Sequence, residues 1–193
     1  MVESQTPPRE PRMNTAPEWR PGDARADIPS MIRVDQAGEY GATRIYAGQL
    51  AVLGPDHPAS RTIARMAIQE DRHLAHFDAM LAERGIRPTL LQPFWNVAGY
   101  ALGAATALMG PEAAMACTAA VETEIDKHYE EQRRQLGPDD PDLAATIEEF
   151  QAEELEHRET ALAAGAENAL GYPVLSAFIR AGCRAAIALS KRI

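Results

Sequence analysis

The chain is poor in several residue types, and each shortage excludes a class of protein. It has two cysteines, Cys117 and Cys183, in separate apolar segments and no CxxC pair. A disulfide framework is therefore excluded, and the thiols suit small core positions in a reducing compartment. Aromatic residues make up only 6% of the 193 residues, and no useful alternating apolar–polar run occurs, which argues against a sheet. Positive charge is scarce: 19 Lys and Arg stand against 28 Asp and Glu, for a net charge of −9. That sign is wrong for a nucleic-acid partner. The first 30 residues lack the apolar run of a secretory signal, and Glu3, Glu10, Glu18, Asp23 and Asp27 are foreign to a mitochondrial transit segment. A protein on the cytosolic side of a bacterial cell is expected. No GxGxxG is present, so any nicotinamide donor would make a transient contact or act through a partner.

What remains is apolar and helix-forming. Hydrophobic residues make up 46% of the chain and alanine is abundant, enough for one all-α domain. Residues 1–29 hold six prolines and read as a disordered leader; residues 30–193 read as the folded domain. Helical periodicity and Pro/Gly punctuation predict helices over about 30–53, 58–84, 92–109, 111–136, 141–164 and 172–190. Gly85 is expected to stop the second, Pro111 to open the fourth, and Asp140 with Pro141 to cap and open the fifth.

Two segments repeat one pattern, Glu70-Asp71-Arg72-His73 and Glu154-Leu155-Glu156-His157, in a chain with five histidines. Residues three apart share a helix face, so each pair aims one carboxylate and one imidazole at a common point. Both pairs fall on core-facing stripes: Ile63, Met66, Glu70, His73, Phe77, Met80 in one helix, and Leu143, Ile147, Phe150, Glu154, His157, Ala161 in the other. A carboxylate in such a place must be paired, protonated or bound to metal. Glu39 and Glu122 occupy equivalent stripes, 31 and 32 residues before Glu70 and Glu154. The order Glu, Glu-x-x-His, Glu, Glu-x-x-His is the ligand arrangement of ferritin-like di-iron bundles. Carboxylates bridge metals and imidazole suits iron as a terminal ligand. His76, three after His73 on a similar face, reads as an extra ligand, a core residue or one behind the ligands, Glu153 and Glu156 as facing solvent or lying behind them, and Asp35 and Asp126 as either supporting groups or plain ion pairs. Tyr129 lies on the ligand stripe of Glu122.

The segments RVDQAGEYGATRIYAGQLAVLG, QPFWNVAGYALGAATALMG, AMACTAAVETEIDKHYEEQ and FQAEELEHRETALAAGAENA resemble the demethoxyubiquinone hydroxylases of ubiquinone biosynthesis. The resemblance spans about residues 30–193. It implies a ferritin-like di-iron monooxygenase that hydroxylates the ring of 2-polyprenyl-3-methyl-6-methoxy-1,4-benzoquinol, with O₂ as co-substrate and NADH or another reductant. It carries the iron-ligand role to Glu39, Glu70, His73, Glu122, Glu154 and His157, with Glu70 and Glu154 bridging. His128 and Tyr129 match a pair near substrate and electron route. Gln36 stands where relatives often carry His.

A polyprenyl substrate requires a membrane surface. Phe94–Met109 is uncharged but short for a span, and Gly99-x-x-x-Gly103 permits close helix contact. The last helix sets Val174, Leu175, Phe178 and Ile179 against Arg180, Arg184, Lys191 and Arg192, as an interfacial helix would. Peripheral attachment to the cytoplasmic face of the bacterial cell membrane is expected. Partner expectations extend to other ubiquinone-biosynthesis proteins or a second copy of the chain. The rival reading is a ferritin-like iron-buffering protein at the membrane.

Overall fold

The computed structural model describes residues 26–192; positions 1–25 of the expected leader lie outside the described residues. Six α-helices follow: α1 Ile28–Leu53, α2 Pro58–Arg84, α3 Gln92–Leu108, α4 Pro111–Leu136, α5 Pro141–Ala163 and α6 Tyr172–Ser190. A 3-10 turn, Ala166–Asn168, precedes α6; it was not foreseen. Among the described residues there is no strand.

Each helix opens with proline in its first turn, where the missing N–H costs nothing and the fixed φ favours the helix. In α1 the start lies two residues before the expected one, because Asp27 caps it by accepting from the Ser30 N–H at 3.2 Å. The Asp140 carboxylate accepts from the Leu143 N–H at 3.1 Å to cap α5. Gly85 ends α2 in the left-handed conformation, φ 62°.

Helices α1, α2, α4 and α5 form the bundle. The bundle core is split into two apolar layers. One joins Ile32, Phe77, Tyr129, Leu143, Ile147 and Phe150; the other joins Tyr46, Ile63, Met66, Met115, Ala119 and Ala161. Along every bundle helix the predicted ligand positions fall between the two layers. Helix α3 is the crossover between the halves and packs on α1; α6 packs on α4.

The α1–α3 contact depends on missing side chains. A Cβ on Gly103 would lie 1.9 Å from the Ile45 carbonyl oxygen, and one on Gly48 2.2 Å from that of Tyr100. The Gly99-x-x-x-Gly103 face therefore brings α3 onto α1 backbone to backbone, within one chain. Gly103→Ala is expected to destabilise the protein by about 1–3 kcal/mol through overpacking. Gly41→Ala, whose Cβ would meet nothing within 4 Å, should be neutral or slightly stabilising. Urea midpoints of the two variants check this; equal midpoints would contradict the packing argument.

Candidate metal centre

One helix pair supplies Glu39 from α1 with Glu70 and His73 from α2; the other supplies Glu122 from α4 with Glu154 and His157 from α5. All six are buried. Their ligand atoms form two groups, Glu39, Glu70, His73, Glu154 and Glu70, Glu122, Glu154, His157, each with atoms within 4.8 Å of one another. Glu70 and Glu154 belong to both groups. His73 Nδ1 lies 3.1 Å from Glu154 Oε1 and 3.5 Å from Glu39 Oε2. His157 Nδ1 lies 3.0 Å from Glu70 Oε1 and 3.2 Å from Glu154 Oε2. Glu70 Oε1, His73 Nδ1 and Glu154 Oε1 are buried without a well-aligned hydrogen bond. Three polar atoms orphaned at one buried point, in a set of carboxylates and imidazoles, fit a pair of hard or borderline cations.

Around this cluster the two halves of the chain exchange contacts. Tyr46, seven residues after Glu39 on α1, donates to Glu122 Oε1 of α4 at 3.1 Å. Tyr129, seven after Glu122 on α4, donates in a short contact to Glu39 of α1. The residue before each Glu-x-x-His does the same for the imidazoles: Glu153 of α5 contacts His73 Nε2 at 2.8 Å, and Gln69 of α2 contacts His157 Nε2 at 3.1 Å. Carboxylate and amide oxygens only accept, so each ring carries a proton on Nε2, with Nδ1 turned to the cluster.

Burial dominates the electrostatics. It raises Glu39, and it pushes Glu70 and Glu122 well above the usual carboxylate range, with neighbouring carboxylates adding to the effect. Glu154 goes the other way. Burial opposes its ionisation, but hydrogen bonds from His157 and His73 outweigh it and bring the carboxyl down to about 2. Burial likewise opposes a charge on His73, yet Glu154 and Glu39 lift it to about 10. Without metal, burial thus favours the protonated forms of Glu39, Glu70 and Glu122 and the pairing of Glu154 with His73. Burial and nearby carboxylates also raise Tyr46 and Tyr129 well above normal, so both stay hydrogen-bond donors.

Other expected residues fall elsewhere. His128 does not face the cluster; its Nε2 lies 3.3 Å from Asp35 and 2.9 Å from Gln132. Asp35 also accepts from Gln132 at 2.7 Å, so it is a buried supporting group and not a surface ion pair. His76 is exposed and contacts Thr146 at 3.2 Å, so it is neither core nor close to the ligands. Glu156 is exposed. Asp126 pairs loosely with Arg158, 3.4 Å away. Glu124, two residues after Glu122, is also buried and binds Lys127 at 2.9 Å and Arg184 of α6 at 3.2 Å. Gln36 donates to Asp78 at 2.9 Å.

Beside the cluster lies a cavity of ≈ 230 Å³ between α1, α3, α4 and α6. Its walls are apolar or small, among them Ala42, Ile45, Trp95, Leu102, Ile125 and Ile179. Gly38 and Val121, which also line it, adjoin Glu39 and Glu122 in sequence. Across α6, Lys127, His128, Arg184, Lys191 and Arg192 surround Glu124 in an open basic groove.

Fold and site together define a ferritin-like helical bundle built around a buried, doubled Glu/His cluster able to hold metal. The sequence profile described as "Ubiquinone biosynthesis protein COQ7" matches residues 26–190, and the chain belongs to that family. It is 50% identical over 200 residues to the 3-demethoxyubiquinol 3-hydroxylase of Rhodospirillum rubrum, covering 97% of this chain and 94% of that protein. It is 52% identical over 172 residues to the mitochondrial NADPH-dependent 3-demethoxyubiquinone 3-hydroxylase of Mus musculus, covering 87% and 79%. With the mitochondrial 5-demethoxyubiquinone hydroxylase of Saccharomyces cerevisiae it shares 42% over 188 residues, 89% and 81%.

A raised carboxyl keeps its proton in the folded state while the unfolded chain releases it, so stability falls as pH rises above 4.5, the ordinary glutamate value from which Glu122 is raised. Each such proton costs about 1.4 kcal/mol per pH unit until the folded pKa is reached. Glu122→Gln should therefore make the metal-free protein more stable than wild type, by a margin that grows between pH 5 and 7, while weakening metal uptake. Urea unfolding across that range checks this; parallel pH profiles would contradict it.

Proposed function

We propose that this chain hydroxylates the ring of 2-polyprenyl-3-methyl-6-methoxy-1,4-benzoquinol in ubiquinone biosynthesis. The observation that carries the reading is a doubled, buried Glu/His cluster adjoining an apolar cavity, in a chain that is half identical to a 3-demethoxyubiquinol 3-hydroxylase. Glu39, Glu70, His73, Glu122, Glu154 and His157 would hold two iron ions, and Glu70 and Glu154, which belong to both ligand groups, would serve both. When bound, the iron pair supplies the activation of O₂. A ring C–H becomes C–OH with one oxygen atom; the other leaves as water, taking two electrons from the reductant and two protons.

The protein's part is placement. Tyr46 and Tyr129 fix Glu122 and Glu39 by donating to them, and the apolar layers above and below keep water away from the cluster. The cavity between α3 and α6 receives the quinol. Its apolar lining suits the ring and the first prenyl units, and Tyr129 stands behind Glu39 rather than in the cavity wall. Electrons come from a reduced nicotinamide, the donor class on which the mouse relative is named as dependent. Its phosphates match the basic groove of Lys127, Arg184, Lys191 and Arg192, and His128 at the groove wall lies next to Tyr129.

The outer faces of α3 and α6 meet the membrane. Phe94, Val97 and Leu108 on α3, Met109 just after it, and Val174 and Phe178 on α6 are each exposed by more than half. The apolar face expected of α6 is divided: Ile179 turns inward and is 2% exposed, whereas Phe178 is 75% exposed. Among the described residues α6 is the one helix long and apolar enough to cross a membrane. Its Ile179 face and the Arg184–Glu124 bridge seat it on α4, which supports a helix lying against the bilayer as part of the bundle over one that crosses it; the cytoplasmic side is the face this reading assigns.

Replacing Glu154 or His157 by Ala should abolish iron loading and hydroxylation together, with demethoxyubiquinone accumulating in cells that carry only the variant. Full hydroxylation by an iron-free variant would sink the proposal, and iron uptake without any effect on quinones would point to iron buffering. Val174→Asp with Phe178→Asp should lower co-sedimentation with anionic lipid vesicles by about tenfold or more and leave iron content unchanged. Undiminished vesicle binding would remove α6 from the membrane face.

A further inference from the structure

The exchange of contacts between the two halves is symmetric in position but not in chemistry. His73 Nε2 donates to a carboxylate, Glu153, at 2.8 Å; His157 Nε2 donates to an amide, Gln69, at 3.1 Å. Glu153 is itself fixed. Arg72 of α2 binds it in a short bidentate contact and reaches Glu149 at 2.9 Å, with its guanidinium 5.5 Å from the centre of the Phe150 ring. That same Phe150 ring stacks on His73 with centroids 3.9 Å apart. The imidazole of His73 is thus gripped at its outer nitrogen and on one face. None of the described ring contacts gives His157 a stacked phenyl partner; its ring neighbour is His73, 6.5 Å away.

We propose that Glu153 makes the two metal positions unequal: it is a positioning residue that strengthens the imidazole of His73 as a donor, so the position facing Glu39 and His73 binds metal more tightly than the one facing Glu122 and His157. The inference rests on the assignment of the cluster as a two-metal site. A ring N–H donated to a carboxylate pushes electron density onto the opposite nitrogen more than one donated to a neutral amide, and it holds the ring at one angle. Loss of such an outer partner changes metal affinity by about 10–100-fold. The tighter position is also the one with the stronger electron donation, so it favours the ferric state. In a half-reduced centre the ferrous ion then sits on the His157 side.

The test is anaerobic titration of the full chain with ferrous iron, followed by Mössbauer spectra of the ⁵⁷Fe-loaded protein. Wild type should bind two ions in two resolved steps and show two distinct quadrupole doublets. Glu153→Gln, which keeps size and shape, should weaken the first step by about tenfold, leave the second, and draw the doublets together. Gln69→Glu should strengthen the second step by about as much and have the same levelling effect on the doublets. If Glu153→Gln weakens both steps equally, or neither, and Gln69→Glu leaves the second step unchanged, Glu153 merely packs and the proposal is overturned. Wild type that takes up no iron would overturn the two-metal assignment itself, a result distinct from two equal steps, which would overturn only the inequality.

Discussion

Everything in this structure is arranged around four carboxylates buried at the middle of a helical bundle. Burying an unpaired carboxylate costs several kcal/mol, and here like charges share one dry volume. The protein answers by burial that favours the protonated forms of Glu39, Glu70 and Glu122, by setting Glu154 3.1 Å from His73, and with two tyrosines that donate to the outermost carboxylates. The apolar layers on either side must then supply the stability that the centre subtracts. Phe77, Ile147 and Phe150 on one side, and Ile63 and Met66 on the other, are all at most 3% exposed. A centre that is costly without cations is the natural counterpart of one that binds them strongly, because each cation replaces protons and relieves repulsion at the same time.

The second organising fact is internal duplication. Two helix pairs present Glu, then Glu-x-x-His, and the supporting residues cross between pairs: tyrosines between α1 and α4, Gln69 and Glu153 between α2 and α5. Such crossing links the halves through directional contacts in addition to apolar packing. It also means that a small drift of one pair against the other disturbs ligands on both. The duplication extends to the remaining helices: α3 follows the first pair and takes a backbone-close seat on α1, and α6 follows the second pair and packs on α4. The cavity opens between these two helices.

Much of this was legible in the sequence, for identifiable reasons. A three-residue spacing fixes two side chains on one helical face, so Glu70–His73 and Glu154–His157 could be aimed at a common point before any coordinates. Proline and glycine punctuation placed the helices to within about two residues, and the stripe of α2 from Ile63 to Met80 is buried throughout. The crossing contacts were not legible, because they join residues 76 to 90 positions apart and depend on which helices touch. A signal for them did exist: Tyr46 and Tyr129 stand at the same distance from their glutamates, and Gln69 and Glu153 directly precede theirs. His128 could not be placed, since one step around a helix from Tyr129 carries it to Asp35 and Gln132 instead of the cluster. The face of α6 was misread because both its sides are apolar, and periodicity alone does not tell an inward Ile179 from an outward Phe178.

Helix α6 closes the cavity, yet only Ser176, Ile179 and Ser190 of its residues are buried. Beyond these it is tied to the bundle by Arg184 on Glu124, by the Trp95 indole donating to Ser190 at 3.1 Å, and by the Lys191 carbonyl accepting from the Ser30 hydroxyl at 3.0 Å. Its Ile179 face covers the apolar cluster of Ile45, Cys117, Ala120 and Val121, so a handful of polar ties outside the bundle core decides whether that cluster and the cavity beside it stay closed to water.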